Sequence, residues 1–118
     1  MSSTPYKSTE EVLNKVWDDE DNILKTALAY NTATNTKVSV GVASTAVLVA
    51  NTTRKYAIFV NDSANVIYLS LSGTAVINEG IRLNASGGAF EVNSTNLYQG
   101  AISAIATGAG SNLTVCEG

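Results

Sequence analysis

Apolar and polar residues alternate with a period of two through most of the chain after Lys37. The stretch 37–42, Lys-Val-Ser-Val-Gly-Val, shows this alternation clearly. A period of two predicts β-strands that place one face in a core, whereas an amphipathic helix would repeat every 3.6 residues. Clusters of Asn, Asp, Ser, Thr and Gly interrupt the alternation at intervals of about ten residues, as expected for turns between short strands.

The alternation predicts about eight strands. We expect them at residues 37–42, 45–50, 56–60, 66–71, 81–83, 89–92, 98–107 and 113–116. Many short strands without intervening helices are typical of an antiparallel β-sandwich or a jelly-roll-like barrel. At 118 residues the chain has room for one such domain, which we place at residues 37–118.

Residues 1–36 differ from this domain in charge and in pattern. They hold three Lys and six acidic residues, so they account for the whole formal net charge of −3, while residues 37–118 are balanced. Ser8 and Glu11 form a capping-box pattern that favours a short helix over 8–17. A hairpin with its turn at 18–22 fits equally well. We therefore predict an acidic N-terminal arm with a short helix or hairpin, followed by a linker.

The arm contains a compact group of apolar side chains, and we predict that this group attaches the protein to a partner. The candidate attachment residues are Val12, Leu13, Val16, Trp17, Ile23 and Leu24.

Two predicted strands, within 45–50 and 101–106, are apolar on both faces. A small antiparallel domain normally has a polar outer face, so the arm or a neighbouring subunit would cover these strands. The alternative is that the small apolar residues only fill space in the strands and nothing covers them. Charged residues make up only 14% of the chain, against about 25% in typical domains, which favours a covered surface. The candidate subunit-interface residues are Val47, Leu48, Val49, Ile102 and Ile105.

Few residues suggest chemistry. The chain has no His and a single cysteine, Cys116, so it offers neither a histidine base nor a zinc-ligand set. The acidic residues after residue 37 are isolated, mostly beside turns. We expect no catalytic residues, no metal and no cofactor. A pI near 4.7 argues against nucleic acid as a partner, because binding it requires basic residues that neutralise phosphates. The Arg54-Lys55 pair is too small a basic patch for this.

No segment approaches the 18 consecutive apolar residues of a membrane span, so no membrane partner is expected. Asn-x-Ser/Thr tripeptides begin at Asn51, Asn61, Asn84, Asn93 and Asn112. Without a recognisable secretory leader, they are most simply a consequence of a composition rich in Asn, Ser and Thr.

The order of the β-segments resembles that of small β-rich virion structural proteins of tailed bacteriophages. This class includes capsid decoration (cement) proteins, head fibres and tail-fibre modules. The segments that resemble it are 54–63 (RKYAIFVNDS), 67–73 (IYLSLSG), 80–84 (GIRLN), 88–92 (GAFEV) and 98–105 (YQGAISAI), together with 14–25 in the arm.

The resemblance implies a non-enzymatic viral protein that works as a homo-oligomer, a dimer or a trimer. Because the chain is short for a tail fibre, we expect a decoration protein that stabilises the assembled shell by bridging capsomers. It would bind the major capsid protein or another virion protein on the capsid exterior, after synthesis in the host cytoplasm. The alternative is a tail- or fibre-associated module that binds a host-surface glycan through Trp17, Tyr30, Tyr56, Tyr68 and Tyr98.

Overall fold

The structure, a computed structural model, describes residues 29–118. This part of the chain contains eight strands and no helix. The strands are β1 (Thr34–Val40), β2 (Thr45–Leu48), β3 (Ala57–Asn61), β4 (Ile67–Ser70), β5 (Ile81–Leu83), β6 (Ala89–Val92), β7 (Ile102–Ala106) and β8 (Ser111–Glu117). The predicted all-β class is confirmed. The predicted helix or hairpin of the arm lies outside the described residues.

The strands form two four-stranded sheets. Sheet A has the order β1-β8-β3-β6 and sheet B the order β2-β7-β4-β5, and every pairing is antiparallel. The first strand pairs with the eighth, the second with the seventh, the third with the sixth and the fourth with the fifth. The two sheets form a β-sandwich-like fold, because the inner faces of both contribute to one buried core.

The period of two in the sequence determines which side chains enter this core. In β3, Ala57 and Phe59 are buried, while the alternate residues Ile58 and Val60 face outward and are half-buried. Each sheet contributes six residues to the buried cluster. They are Val40, Ala57, Phe59, Val92, Leu113 and Val115 from sheet A, and Ile67, Leu69, Leu83, Ile102, Ala104 and Ala106 from sheet B.

Only β5 and β6 have the predicted bounds, and each of the other strands differs at one or both ends by one to four residues. β1 begins at Thr34 rather than Lys37, because its first residues pair with β8 from Thr34 opposite Glu117 onward. β2 ends at Leu48 and β7 begins at Ile102, so both are shorter than their apolar runs. The carbonyl groups beyond these two ends accept hydrogen bonds from one side chain, that of Arg54.

Arg54 is fully buried just before β3. Its Nε donates to Glu117 Oε2 at 2.7 Å, its Nη2 to Val49 O at 2.8 Å, and its Nη1 to Tyr98 O at 2.9 Å and Gly100 O at 3.0 Å. This side chain therefore joins the segments that follow β2 and precede β7 to the end of β8. Glu117 is not isolated, as the sequence suggested, but is the partner of a buried arginine.

Asn61 has a similar role at the other end of β3. Its Nδ2 donates to Asn65 O at 2.7 Å and to Leu83 O at 3.0 Å, and its Oδ1 accepts from Ser63 Oγ at 2.6 Å. Within residues 29–118, no buried side-chain nitrogen or oxygen lacks a hydrogen-bond partner. Both ends of the sandwich are thus closed by polar side chains that satisfy backbone groups.

The outer face of sheet B is partly covered by residues 71–80, which connect β4 to β5. Ser103 Oγ donates to Ser72 O at 3.0 Å, Tyr68 OH donates to Asn78 Oδ1 at 2.9 Å, and the connection returns through Gly80. Gly80 has a φ of 85°, and a Cβ there would collide with the carbonyl oxygen of Leu69. The connection covers part of the second apolar face of β7, which the sequence assigned to the arm or to a neighbouring subunit.

Replacing Arg54 by methionine tests its role in closing this end. Arg54→Met should lower the free energy of unfolding by about 3 to 5 kcal/mol, because three carbonyl groups lose this donor and the Glu117 carboxylate retains the longer bond of 3.3 Å from Asn51 Nδ2. Urea unfolding at pH 7 measures the change. Lys37→Met, which removes an exposed cation from β1, should shift stability by no more than about 0.5 kcal/mol. Equal losses in the two variants would contradict the role given to Arg54.

Candidate functional site

The predicted attachment residues Val12, Leu13, Val16, Trp17, Ile23 and Leu24 lie outside the described residues. Among residues 29–118 no group of three or more His, Cys, Asp or Glu side chains could hold a metal ion. No helix in this part of the chain is long and apolar enough to cross a membrane. Within residues 29–118, the surfaces open to a partner are the outer faces of the two sheets and the connections between strands.

The five predicted interface residues do not share one surface. Ile102 is 1% exposed and belongs to the core, so its side chain has no area to offer a second subunit. Val47 and Leu48 are half-buried and pack against the same core. Val49, 79% exposed, and Ile105, half-buried, lie beyond opposite ends of the β2–β7 pairing. The predicted interface remains a prediction, and of these residues Val49 and Ile105 have outer faces that a partner could reach.

The tyrosines are likewise dispersed over the described part of the chain. Tyr68 is buried against the β4–β5 connection, and Tyr98 OH lies 2.9 Å from Leu71 O and 3.0 Å from Ala101 O. Tyr30 and Tyr56 stack with their ring centroids 5.7 Å apart and their planes at 20°. The four described tyrosines therefore do not form one binding surface for a sugar, and only Tyr30 and Tyr56 among them stack on each other. Trp17 is outside the described residues.

The Tyr30–Tyr56 pair also fixes the segment that precedes β1. Lys55 Nζ donates to Ala29 O at 2.7 Å, next to the stacked rings. Tyr56 and Lys55 lie at the start of β3, where their amide groups donate to Gly118 O. The chain therefore reaches β1 from a defined position on the outer face of sheet A, beside Gly118.

Glu91 accepts two hydrogen bonds on this face. Asn93 Nδ2 donates to Oε1 at 2.8 Å and Tyr56 OH donates to Oε2 at 3.0 Å. These bonds lower the pKa of Glu91, that from Asn93 more than that from Tyr56. The same contact raises the pKa of Tyr56, because the neutral hydroxyl is the donor to a carboxylate. The pair is a structural contact between β3 and β6.

The outer face of sheet B contains an apolar depression of about 550 Å³ that is open to solvent. Its exposed apolar side chains are Val42, Val76 and Ile77, at 62%, 46% and 38%, and the half-buried Ile105 also lines it. We call these four residues the sheet B patch. Val42 follows β1, Ile105 is in β7, and the other two are in the β4–β5 connection. The fold thus assembles one surface from three segments.

The amino-acid sequence contains an indication of this patch, but a prediction based on alternating residues in strands does not use it. Val76-Ile77 is a pair of apolar β-branched residues between two predicted strands, in a stretch otherwise rich in turn-forming residues. Because the pair lies outside the predicted strands, it does not belong to the strand faces that form the core. An exposed apolar pair on a loop is a typical component of an interaction surface.

The chain matches no protein-family model, and comparisons with curated proteins and with solved structures find no match to it.

The hydrogen bond between Tyr56 and Glu91 leads to a prediction about pH. Tyr56→Phe keeps the ring against Tyr30 but removes the hydroxyl donor, so the pKa of Glu91 should rise toward its ordinary value of 4.5. A carboxylate with a depressed native pKa stabilises the fold above the unfolded-state pKa, and this contribution is lost as pH falls through the native value. Tyr56→Phe should therefore weaken the loss of stability on acidification.

Carbon-13 NMR titration of the Glu91 carboxyl measures the pKa directly. Tyr68→Phe is the matched control, because its hydroxyl contacts Asn78 and not Glu91. An unchanged Glu91 pKa in Tyr56→Phe would show that the hydrogen bond has no energetic effect.

Proposed function

We propose that the protein is a structural component of a tailed-bacteriophage virion: a capsid decoration protein that binds the exterior of the assembled shell and bridges capsomers. Its partner would be the major capsid protein or another virion protein. It acts without chemistry, because a protein that binds only the assembled state stabilises that state by mass action. Synthesis would take place in the host cytoplasm.

The strand pairing supports this proposal at the level of the fold. We infer that the sandwich is a jelly roll. Its first strand pairs with the eighth, the second with the seventh, the third with the sixth and the fourth with the fifth, as in one long hairpin folded over on itself. Jelly rolls are common in viral capsid proteins, although they also occur in lectins and enzymes. The fold therefore favours a virion protein by analogy, and the attachment segment makes the proposal specific.

The observation that carries the proposal is the fixed position of the segment before β1. All residues of the described core cluster lie between Val40 and Val115. Ala29 and Tyr30 contact Lys55 and Tyr56 on the outside of sheet A. The segment that precedes them carries the acidic residues and the apolar attachment candidates. The arrangement suits a domain that holds its own fold while a separate arm binds the shell.

Imaging of labelled particles, combined with binding of variants, tests the proposal. Labelled protein should appear on the heads of a tailed phage that encodes the chain. Trp17→Ala should weaken binding to shells at least about tenfold, since buried aromatic anchors dominate interfaces. Leu97→Ala, an exposed apolar change in the sandwich, should bind as the unaltered protein does.

Label on the tail instead of the head would overturn the decoration assignment. Equal binding by the Trp17 and Leu97 variants would overturn the role given to the arm.

A further inference from the structure

The two sheets differ in charge. Among the described residues, Lys37, Lys55, Asp62 and Glu91 belong to sheet A or to its ends, while Arg54 and Glu117 pair with each other inside. Within residues 29–118, the strands of sheet B and the β4–β5 connection contain two charged residues, Glu79 and Arg82. The centre of a protein interface is depleted of charge in the same way.

Glu79 and Arg82 both lie close to the sheet B patch. Glu79 follows Ile77 by two residues, in a turn whose amide donates to Val76 O at 3.2 Å. Arg82 is opposite Tyr68 on the outer face, and Tyr68 is opposite Ile105. Neither charge forms an ion pair with another described residue. An apolar centre is thus bordered by one negative and one positive side chain.

An apolar centre bordered by one charge of each sign can pair with a second copy of itself. In a two-fold interface the same patch faces itself, so a residue i that contacts j is repeated as j contacting i. The apolar residues of one copy would cover those of the other, and Glu79 of each copy would lie near Arg82 of the other. A patch with charges of one sign could not pair with itself without repulsion.

We propose that the sheet B patch is the surface through which two copies of this chain associate. The acidic arm fits it less well, because its run Asp18-Asp19-Glu20-Asp21 would place four carboxylates near a single arginine and another carboxylate. The proposal goes beyond capsid binding, since self-association needs no particle. It keeps Ile105 from the predicted subunit interface and replaces Val47, Leu48, Val49 and Ile102 by Val42, Val76 and Ile77.

Sedimentation equilibrium of the full chain measures the association. The unaltered protein should form dimers. Ile77→Asp places a charge in the centre of the patch and should raise the dissociation constant more than about tenfold. Leu97→Asp is the matched control, because Leu97 is 43% exposed, close to the 38% of Ile77, but lies outside the patch. It should leave the dissociation constant unchanged, and thermal melting should show both variants folded.

Charge exchange provides a second, independent measurement. Glu79→Arg and Arg82→Glu should each weaken the dimer by about two- to tenfold, because each brings like charges together across the two-fold axis. The double variant E79R/R82E should recover the original affinity, since it restores opposite charges at both positions.

Three results would overturn the proposal. One is a monomer at all concentrations up to about 100 μM, where even a weak interface associates measurably. Another is equal weakening by Ile77→Asp and Leu97→Asp. The third is failure of the double variant to recover after both single changes weaken the dimer. A dimer that behaves as expected but does not bind capsids would contradict the proposed function and leave this surface intact.

Discussion

The sandwich depends most on the buried guanidinium of Arg54. An arginine removed from water is costly unless hydrogen bonds replace its hydration. Arg54 donates four such bonds, to the carboxylate of Glu117 and to the carbonyl groups of Val49, Tyr98 and Gly100. The planar guanidinium presents these donors in a rigid fork, which a lysine ammonium could not reproduce. The connections after β2 and before β7 are thereby held to the end of β8. This one side chain thus fixes the end of the sandwich at which Ala29 and Tyr30, from the segment before β1, contact Lys55 and Tyr56.

Short polar side chains shape the connections elsewhere. In the Asn51-Thr52-Thr53 tripeptide, Asn51 Oδ1 accepts from the amide and the hydroxyl of Thr53, at 3.0 and 2.7 Å. Asn93 Oδ1 accepts the same two bonds from Thr95, at 2.9 and 2.6 Å. These are Asx turns, so two of the Asn-x-Thr tripeptides have a structural explanation in turn geometry. With so few charges, the chain uses Asn, Ser and Thr both to form its turns and to face water.

Much of the fold could be predicted from the sequence, because alternation reports directly which side chains face a core. The strands at 81–83 and 89–92 lie where the alternation places them. The strand ends next to Arg54 could not be predicted, since its partners lie up to 63 residues away in the chain. A charged residue before a strand ordinarily indicates surface, and no local pattern distinguishes one that will be buried. Likewise, the sheet B patch combines three segments that meet only in the folded chain.

The low charge of the chain therefore has a more specific meaning than composition alone suggests. Eight charged residues lie in residues 37–118, and two of them, Arg54 and Glu117, form an internal pair. Of the remaining six, sheet A and its ends hold four. A surface with few charges and exposed valine and isoleucine side chains favours contact with another protein surface over water. The outer face of sheet A already contacts Ala29 and Tyr30, whereas the sheet B patch presents exposed apolar side chains and few charges, so this patch is where the scarcity of charge most directly favours a partner.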